Sequence, residues 1–114
     1  MNNLNSIILE GDITKAGTLE CQFTGFPQMT VTIAVERTYR GSKGNEVSEV
    51  SEFEIIAYGN VADFLAKKGV IGQGIRVVGR LTQVKWEADG RQQSAVKVIA
   101  EHIEFKPFVQ KETA

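Results

Sequence analysis

The chain is poor in the residues that build disulfides, zinc sites and Cys–His catalytic pairs. Its 114 residues include one cysteine, Cys21, and one histidine, His102, too few for an internal disulfide or a zinc site of cysteine and histidine. Both lie in strand-like segments without a turn to present them, so we interpret both as structural. The sequence contains no paired carboxylates or nucleophile–base pair, and we expect no enzyme activity, no metal and no cofactor.

The chain also lacks long apolar runs. No stretch approaches the length of a membrane-spanning helix, and the start MNNLNS lacks the basic and apolar parts of a secretory signal. We therefore expect a cytoplasmic protein without membrane association. A length of 114 residues with 42% hydrophobic and 24% charged residues fits one globular domain, whose small core favours oligomerisation.

Charge is nearly balanced in total but uneven along the chain. The formal net charge of −1 is not that of a uniformly basic nucleic-acid binder. Basic residues dominate one stretch, which contains Lys67, Lys68, Arg76, Arg80, Lys85 and Arg91. Acidic residues dominate the middle of the chain, which contains Glu46, Glu49, Glu52 and Glu54. This distribution predicts a surface with one cationic region.

Alternation of apolar and polar residues predicts most of the chain to be β-strand. Residues 28–38 alternate cleanly, with Met29, Val31, Ile33 and Val35 on one side. Apolar, β-rich segments at 5–13 and 18–26 predict one long strand bent at Gly17 or two strands. Further strands are predicted at 47–59, 73–87 and 93–105, and the last two are joined through an Asp-Gly turn. Residues 39–46 are interpreted as a flexible basic loop.

The segment 60–69 has the pattern of a short helix. Asn60 is a good N-cap, Asp63 falls in the first turn, and Gly69 follows two lysines at the end. The apolar stripe of this helix is predicted to comprise Val61, Phe64 and Leu65. Five strands with one short helix between the third and fourth predict an all-β protein, a five-stranded OB-fold Greek-key barrel. An open α+β sandwich is the alternative. We expect the domain at 1–106 and a short C-terminal extension at 107–114.

Aromatic residues lie close to cations at the predicted loops. The aromatic candidates are Tyr39, Phe53, Tyr58 and Trp86. The cationic candidates are Arg37, Arg40 and Lys43 near Tyr39, Arg80, Lys85 and Arg91 near Trp86, and Arg76. Aromatic rings stack on bases of any sequence and cations follow the phosphate backbone, so these residues predict binding of single-stranded nucleic acid. The alternatives are core packing for Phe53, core or plain surface for Tyr58, and solvated side chains for Arg76 and Arg80.

Several segments resemble bacterial single-stranded DNA-binding proteins. They are NSIILEGDIT, VTIAVERTYR, EFEIIAYGNVADFLAKKG and VVGRLTQVKW with the following DGR turn. The resemblance implies a homo-oligomer, a tetramer or alternatively a dimer, that wraps single-stranded DNA at the nucleoid without sequence preference and without catalysis. It implies roles in replication, recombination and repair, with replication or repair proteins as partners. The stacking positions of the family fall on Tyr39, Phe53, Tyr58 and Trp86.

The sequence departs from the family pattern in three ways. The strand between Phe53 and Gly59 is one residue short, so Phe53 and Tyr58 lie on opposite faces unless a bulge intervenes, and Tyr58 is the better stacking candidate. Glu52 and Glu54 near this face would repel phosphate. The ending KPFVQKETA lacks the acidic tail of the family, which indicates a truncated domain or a tailless phage, plasmid or primosomal relative. A protein-interaction module of a primosome or recombination complex is the alternative function.

Overall fold

Six β-strands and one α-helix form the computed structural model, which describes residues 2–17, 19–21 and 27–107. The elements in chain order are β1 (Ile7–Ala16), β2 (Glu20–Cys21), β3 (Pro27–Arg40), β4 (Glu46–Tyr58), α1 (Asn60–Lys68), β5 (Gly74–Ala88) and β6 (Arg91–Phe105). Within the described residues, no helix is long and apolar enough to cross a membrane. Of the two alternatives for the first apolar segments, the structure has two strands, β1 and the two-residue β2, and residues 18 and 22–26 of the second segment lie outside the described residues.

The sheet closes on itself as a barrel. The strand order is β1-β5-β6-β4-β3-β2, and β1 pairs in addition with β3. The only parallel contact among the described strands joins β4 to β6, and the remaining neighbours are antiparallel. The closed barrel, with its helix between β4 and β5, confirms the predicted OB-fold.

The core is formed by the alternating apolar positions that the sequence predicts. Met29, Val31 and Ile33 of β3 are almost fully buried, as are Ile55 of β4 and Ile75 of β5. Because side chains alternate across a strand, their neighbours in sequence point outward, and most of these are partly or fully exposed, whereas Ile56 of β4 is also buried. Each buried Val or Ile contributes about 1.5–3 kcal/mol relative to an exposed one. These buried side chains form the inner face of the barrel.

A bulge divides the long β5–β6 pair. Val78 pairs with His102 and Gly79 with Ala100, which leaves Glu101 as an additional residue in β6. A Cβ atom at Gly79 would lie 2.0 Å from the carbonyl oxygen of Ile99, so only glycine fits there. Beyond the bulge, β5 and β6 continue as a hairpin whose outer part, residues 83–94, is exposed on both faces. Asp89 and Gly90 close this hairpin with φ angles of 52° and 74°, and the predicted Asp-Gly turn is confirmed.

The helix differs from its prediction at its start. Gly59, with φ of 63°, is the N-cap, whereas Asn60 is the first helical residue and its side chain makes no capping hydrogen bond. The buried side chains are Ala62 and Leu65, whereas Phe64 is 44% exposed. The Phe64 ring lies against Phe105, with centroids 5.1 Å apart. The N-cap predicted at Asn60 is therefore wrong, whereas the predicted apolar stripe includes the buried Leu65 and the partly exposed Phe64.

One further prediction needs correction. Tyr39 and Arg40 belong to β3 and pair with Val47 and Glu46, so the predicted loop shrinks to the turn at residues 41–45. His102 lies within β6, where its side chain is exposed and within 3.3 Å of the Glu104 carboxylate. For Cys21 the structure places the backbone in β2, and its side chain lies outside the described residues.

Candidate nucleic-acid interface

A cleft opens on the barrel where β4 and β6 part. These strands pair over only three residues each, Ile55–Ala57 with Val98–Ala100. Directly before these paired segments the two strands border a cleft of about 650 Å³. The cleft is lined by Glu52, Phe53 and Glu54 of β4, by Ala95, Val96, Lys97 and Val98 of β6, and by Ile7, Leu81 and Trp86. Its apolar floor and charged walls suit a ligand with flat rings and an ionic backbone.

Two aromatic rings from different strands line this cleft. Phe53 comes from β4 and is 36% exposed, whereas Trp86 comes from the β5–β6 hairpin, opposite Gln93, and is 45% exposed. Partly exposed rings at the border of a cleft can stack against unpaired bases. Phe53 is therefore not fully buried, although it lies on the same side of β4 as the buried Ile55.

Tyr58 lies on the opposite side of β4 from Phe53. The pairing of β3 with β4 runs from Gln28–Tyr58 to Arg40–Glu46 without a register shift, so no bulge brings the two rings to one face. Tyr58 is 45% exposed and shares the outer face with Ile56. The two aromatics therefore serve different surfaces, Phe53 the cleft and Tyr58 the outer face of the barrel.

Cross-strand pairing decides which cations accompany Trp86. Directly opposite residues of an antiparallel pair point to the same face. The pairs Trp86–Gln93, Ala88–Arg91 and Thr82–Lys97 therefore share one face of the hairpin. Lys85 pairs with Ser94 and points to the other face. Arg91 accompanies Trp86 as the sequence predicts, whereas Lys85 does not.

Lys97 is a cation of the cleft that sequence reasoning missed. Its ammonium group lies 2.9 Å from the carboxylate of Glu54 across the cleft. The alternation with buried Val98 would have placed Lys97 on the outer face of β6, but its proximity to Glu54 depends on the parallel β4–β6 contact. No local sequence pattern contains that contact.

Arg76 and Arg80 lie on the same side of β5 but have different surroundings. The Arg76 guanidinium group lies 2.8 Å from Glu10 and 3.6 Å from Glu104. Its hydrogen bond to Glu10 is the main cause that lowers the pKa of that carboxyl below 4.5, with smaller help from Lys106 and against the effect of burial. Arg80 is exposed and takes part in none of the ion pairs found within the described residues. Arg80 is thus the freer of the two to meet a phosphate.

The β3–β4 hairpin carries the remaining candidates. The guanidinium carbon of Arg37 lies 5.1 Å from the centroid of the Tyr39 ring, a cation–π contact on one face of the hairpin. Tyr39 and Arg40 border a shallow groove of about 490 Å³, and Lys43 is exposed in the adjoining turn. Glu49 stands opposite Arg37 and Glu46 opposite Arg40, so the positive charge of this hairpin is partly compensated.

Metal binding finds no support in this surface. Across residues 2–17, 19–21 and 27–107, no group of three or more histidine, cysteine or acidic side chains is close enough to hold a metal ion. The chemistry that the interface offers is stacking on aromatic rings and ion pairing with cations.

The fold and the cleft define a small OB-type barrel with an open face of aromatic and basic residues, a class that accommodates oligonucleotides or oligosaccharides. The model of the single-strand binding protein family matches residues 4–106, and the chain belongs to this family. A relative from Aquifex aeolicus, named single-stranded DNA-binding protein, is 33% identical over 100 residues, which cover 88% of this chain and 68% of the relative.

Solved structures agree with the barrel. The single-stranded DNA-binding protein of Thermus aquaticus, in a deletion mutant, is 27% identical and superposes with a TM-score of 0.81, covering 91% of this chain and 51% of the Thermus chain. The Plasmodium falciparum SSB in complex with ssDNA gives a TM-score of 0.84 at 20% identity over 94% of this chain and 98% of that chain, which supports the fold alone. The chain thus spans about half of the Thermus protein.

Proposed function

We propose that this chain binds single-stranded DNA without sequence preference and without catalysis. The observation that carries the proposal is the cleft in which Phe53 and Trp86, from separate strands, face the same space beside Lys97. Membership of the single-strand binding protein family and the printed names of its relatives support the same function.

Binding follows from what each group can do. Trp86 and Phe53 stack on successive bases through their π-faces, which all four bases share, so no sequence is preferred. Duplex DNA keeps its bases paired and stacked, and therefore does not reach these rings. Cations on the outer face then neutralise phosphates and release bound counterions. The cations proposed for this role are Arg80 and Arg91 near the cleft and Arg37, Arg40 and Lys43 on the β3–β4 hairpin, with Lys85 on the far side of its hairpin.

Tyr58 and Tyr39 would extend the path of the strand. Tyr58 lies on the outer face of β4 and Tyr39 on the β3–β4 hairpin, both partly exposed. A strand that contacts all four rings must pass from the cleft across the outer face, which requires wrapping around the barrel. Arg76 is not proposed as a main phosphate contact, because its charge is already paired with the carboxylates of Glu10 and Glu104.

The direct test is a titration with oligo-dT at low and high salt. Trp86 is the only tryptophan, so its fluorescence reports on stacking at one known site. We expect quenching on addition of oligo-dT, weaker binding at high salt and little response to the corresponding duplex. Absence of both a quench and a gel shift at low salt would refute the proposal.

We further propose that residues 1–106 form the DNA-binding domain and act as a homo-oligomer, a tetramer or alternatively a dimer, at the nucleoid in the cytoplasm. Exposed apolar side chains support self-association, since Ile8 and Ile71 retain 66% and 67% of their surface in the single chain. Light scattering distinguishes the two assemblies. Replication or repair proteins are the expected partners, and co-purification tests them.

The second candidate is a protein-interaction module of a primosome or recombination complex. Glu52 and Glu54 in the cleft favour it, because carboxylates repel phosphate and would suit a basic protein segment. Co-purification of a replication protein without any binding of oligo-dT would support this function instead.

A further inference from the structure

One ion pair lies inside the proposed DNA cleft. The ammonium group of Lys97 and the carboxylate of Glu54 are 2.9 Å apart, and both residues line the cleft with Trp86. Their side chains keep 29% and 51% of their exposure, so solvent and ligand reach both. The cation best placed to meet a phosphate beside the stacking rings therefore already has an anionic partner in the free protein.

We propose that Glu54 competes with the DNA backbone for Lys97 and so sets the affinity and the salt dependence of the cleft. This inference rests on the proposed function, since it concerns the same cleft and the same ligand. An exposed ion pair is weak, because water screens both charges and the side chains lose conformational freedom. A phosphate can therefore replace the carboxylate at little cost, but then the unpaired Glu54 lies next to the backbone and repels it.

The counterion argument makes the competition measurable. Each phosphate neutralised on a single strand makes the slope of log K against log[salt] more negative by about 0.7. When Glu54 occupies Lys97, this lysine adds little to the slope. When Glu54 loses its charge, Lys97 can pair with a phosphate, and the slope should become more negative by the value of one phosphate contact.

Glu52 provides a matched control. It lies two positions earlier on the same face of β4 and borders the same cleft. It takes part in none of the ion pairs that the structure gives for residues 2–17, 19–21 and 27–107. Glu52→Gln and Glu54→Gln thus remove the same charge from the same surface, but only the second releases a lysine.

The experiment measures binding of fluorescein-labelled oligo-dT by anisotropy over a series of salt concentrations. We expect Glu54→Gln to bind about two- to fivefold more tightly than Glu52→Gln at low salt, the range that corresponds to one exposed ion pair. We expect its slope to be steeper than that of Glu52→Gln by about 0.7. Thermal unfolding of each variant establishes that the barrel is intact.

A second background identifies Lys97 as the cause. When Lys97→Gln is the background, the added changes Glu54→Gln and Glu52→Gln should have equal effects on affinity. Neither should give a steeper salt slope than the other. Equal salt slopes for Glu52→Gln and Glu54→Gln would overturn this inference, and so would a steeper slope of Glu54→Gln that persists in Lys97→Gln. The proposed function would still hold in either case if the wild-type chain binds oligo-dT. Failure of the wild-type chain to bind oligo-dT would overturn both.

Discussion

Phe53 and Tyr58 project from opposite faces of β4. They are an odd number of residues apart in a strand whose pairing with β3 has no bulge, so the pleat separates them. Phe53 faces the cleft that also contains Trp86, whereas Tyr58 lies on the outer face. Phe53 and Trp86 therefore line the same cleft, and Tyr58 lies outside it.

This division predicts how substitutions at the three rings combine. Phe53→Ala and Trp86→Ala should couple by about 0.5–3 kcal/mol in their effect on oligo-dT binding, because they act on nucleotides in one cleft. Tyr58→Ala and Trp86→Ala should add to within about 0.5 kcal/mol, as independent sites do. A double-mutant cycle by anisotropy measures both values. Additivity of the Phe53 and Trp86 effects would show that the two rings do not hold the same part of the strand.

Trp86 should make the largest single contribution to stacking. Single-strand-binding OB-folds, the class to which this chain belongs, lose about 1–3 kcal/mol per base when a stacking ring is removed. We expect Trp86→Ala to weaken oligo-dT binding by this amount and Trp86→Phe to retain most of the affinity. Labelled oligonucleotide must be used, because the intrinsic fluorophore is lost. Equal losses for the two variants would indicate that the indole acts through something other than its π-face.

The two arginines on one side of β5 should differ in their effect on salt dependence. Arg80→Ala should reduce the magnitude of the salt slope by about 0.7, the value of one phosphate contact on a single strand. Arg76→Ala should leave the slope nearly unchanged, because Glu10 and Glu104 already surround that guanidinium group. Each variant removes one positive charge from the same strand, so the comparison separates local contact from overall charge. A larger slope change for Arg76→Ala contradicts the assignment.

The Arg76–Glu10 contact also predicts a pH dependence of stability. The hydrogen bond from Arg76 lowers the pKa of Glu10 below its ordinary value of 4.5. A lowered folded-state pKa stabilises the fold above the unfolded value, and this contribution is lost as the pH falls through the folded-state pKa. The melting temperature of wild type should therefore exceed that of Glu10→Gln near neutral pH, and the difference should vanish in acid.

Glu87→Gln is the control for this measurement. Glu87 lies on the exposed outer part of the β5–β6 hairpin and belongs to none of the ion pairs of the described residues. We expect the Glu87→Gln melting curve to follow wild type across the pH range. A pH-independent difference between wild type and Glu10→Gln would mean that the charge of Glu10 is not what stabilises the fold.

Local patterns in the sequence predict much of this architecture. The alternation at Met29, Val31 and Ile33 follows directly from the two-residue period of a strand with one buried face. The Asp89–Gly90 turn follows from the positive φ angles that a tight hairpin needs. Both features depend only on residues that are close together in the sequence, so the sequence is sufficient to predict them.

Contacts between residues far apart in the chain do not follow from local patterns. The Phe64 ring contacts Phe105 of β6, a partner that lies 41 positions away in the chain, and Ala62 is buried together with Leu65. The ion pair between Arg76 and Glu10 depends on the pairing of β5 with β1. Lys85 and Trp86 are adjacent in sequence but point to opposite faces of the hairpin, because successive side chains of a strand alternate between its faces.

The sequence by itself determined the order of strands and helix, the inward side of the strand that contains Met29, Val31 and Ile33, and the aromatic and cationic residues available for binding. These follow from the strand period, from turn chemistry and from residue type. Only the tertiary structure decided that Phe53 and Trp86 line one cleft and that Glu54 forms an ion pair with Lys97 in that cleft. Both facts arise from the short parallel contact between β4 and β6, which closes the barrel between segments far apart in the chain and leaves the cleft where that contact ends.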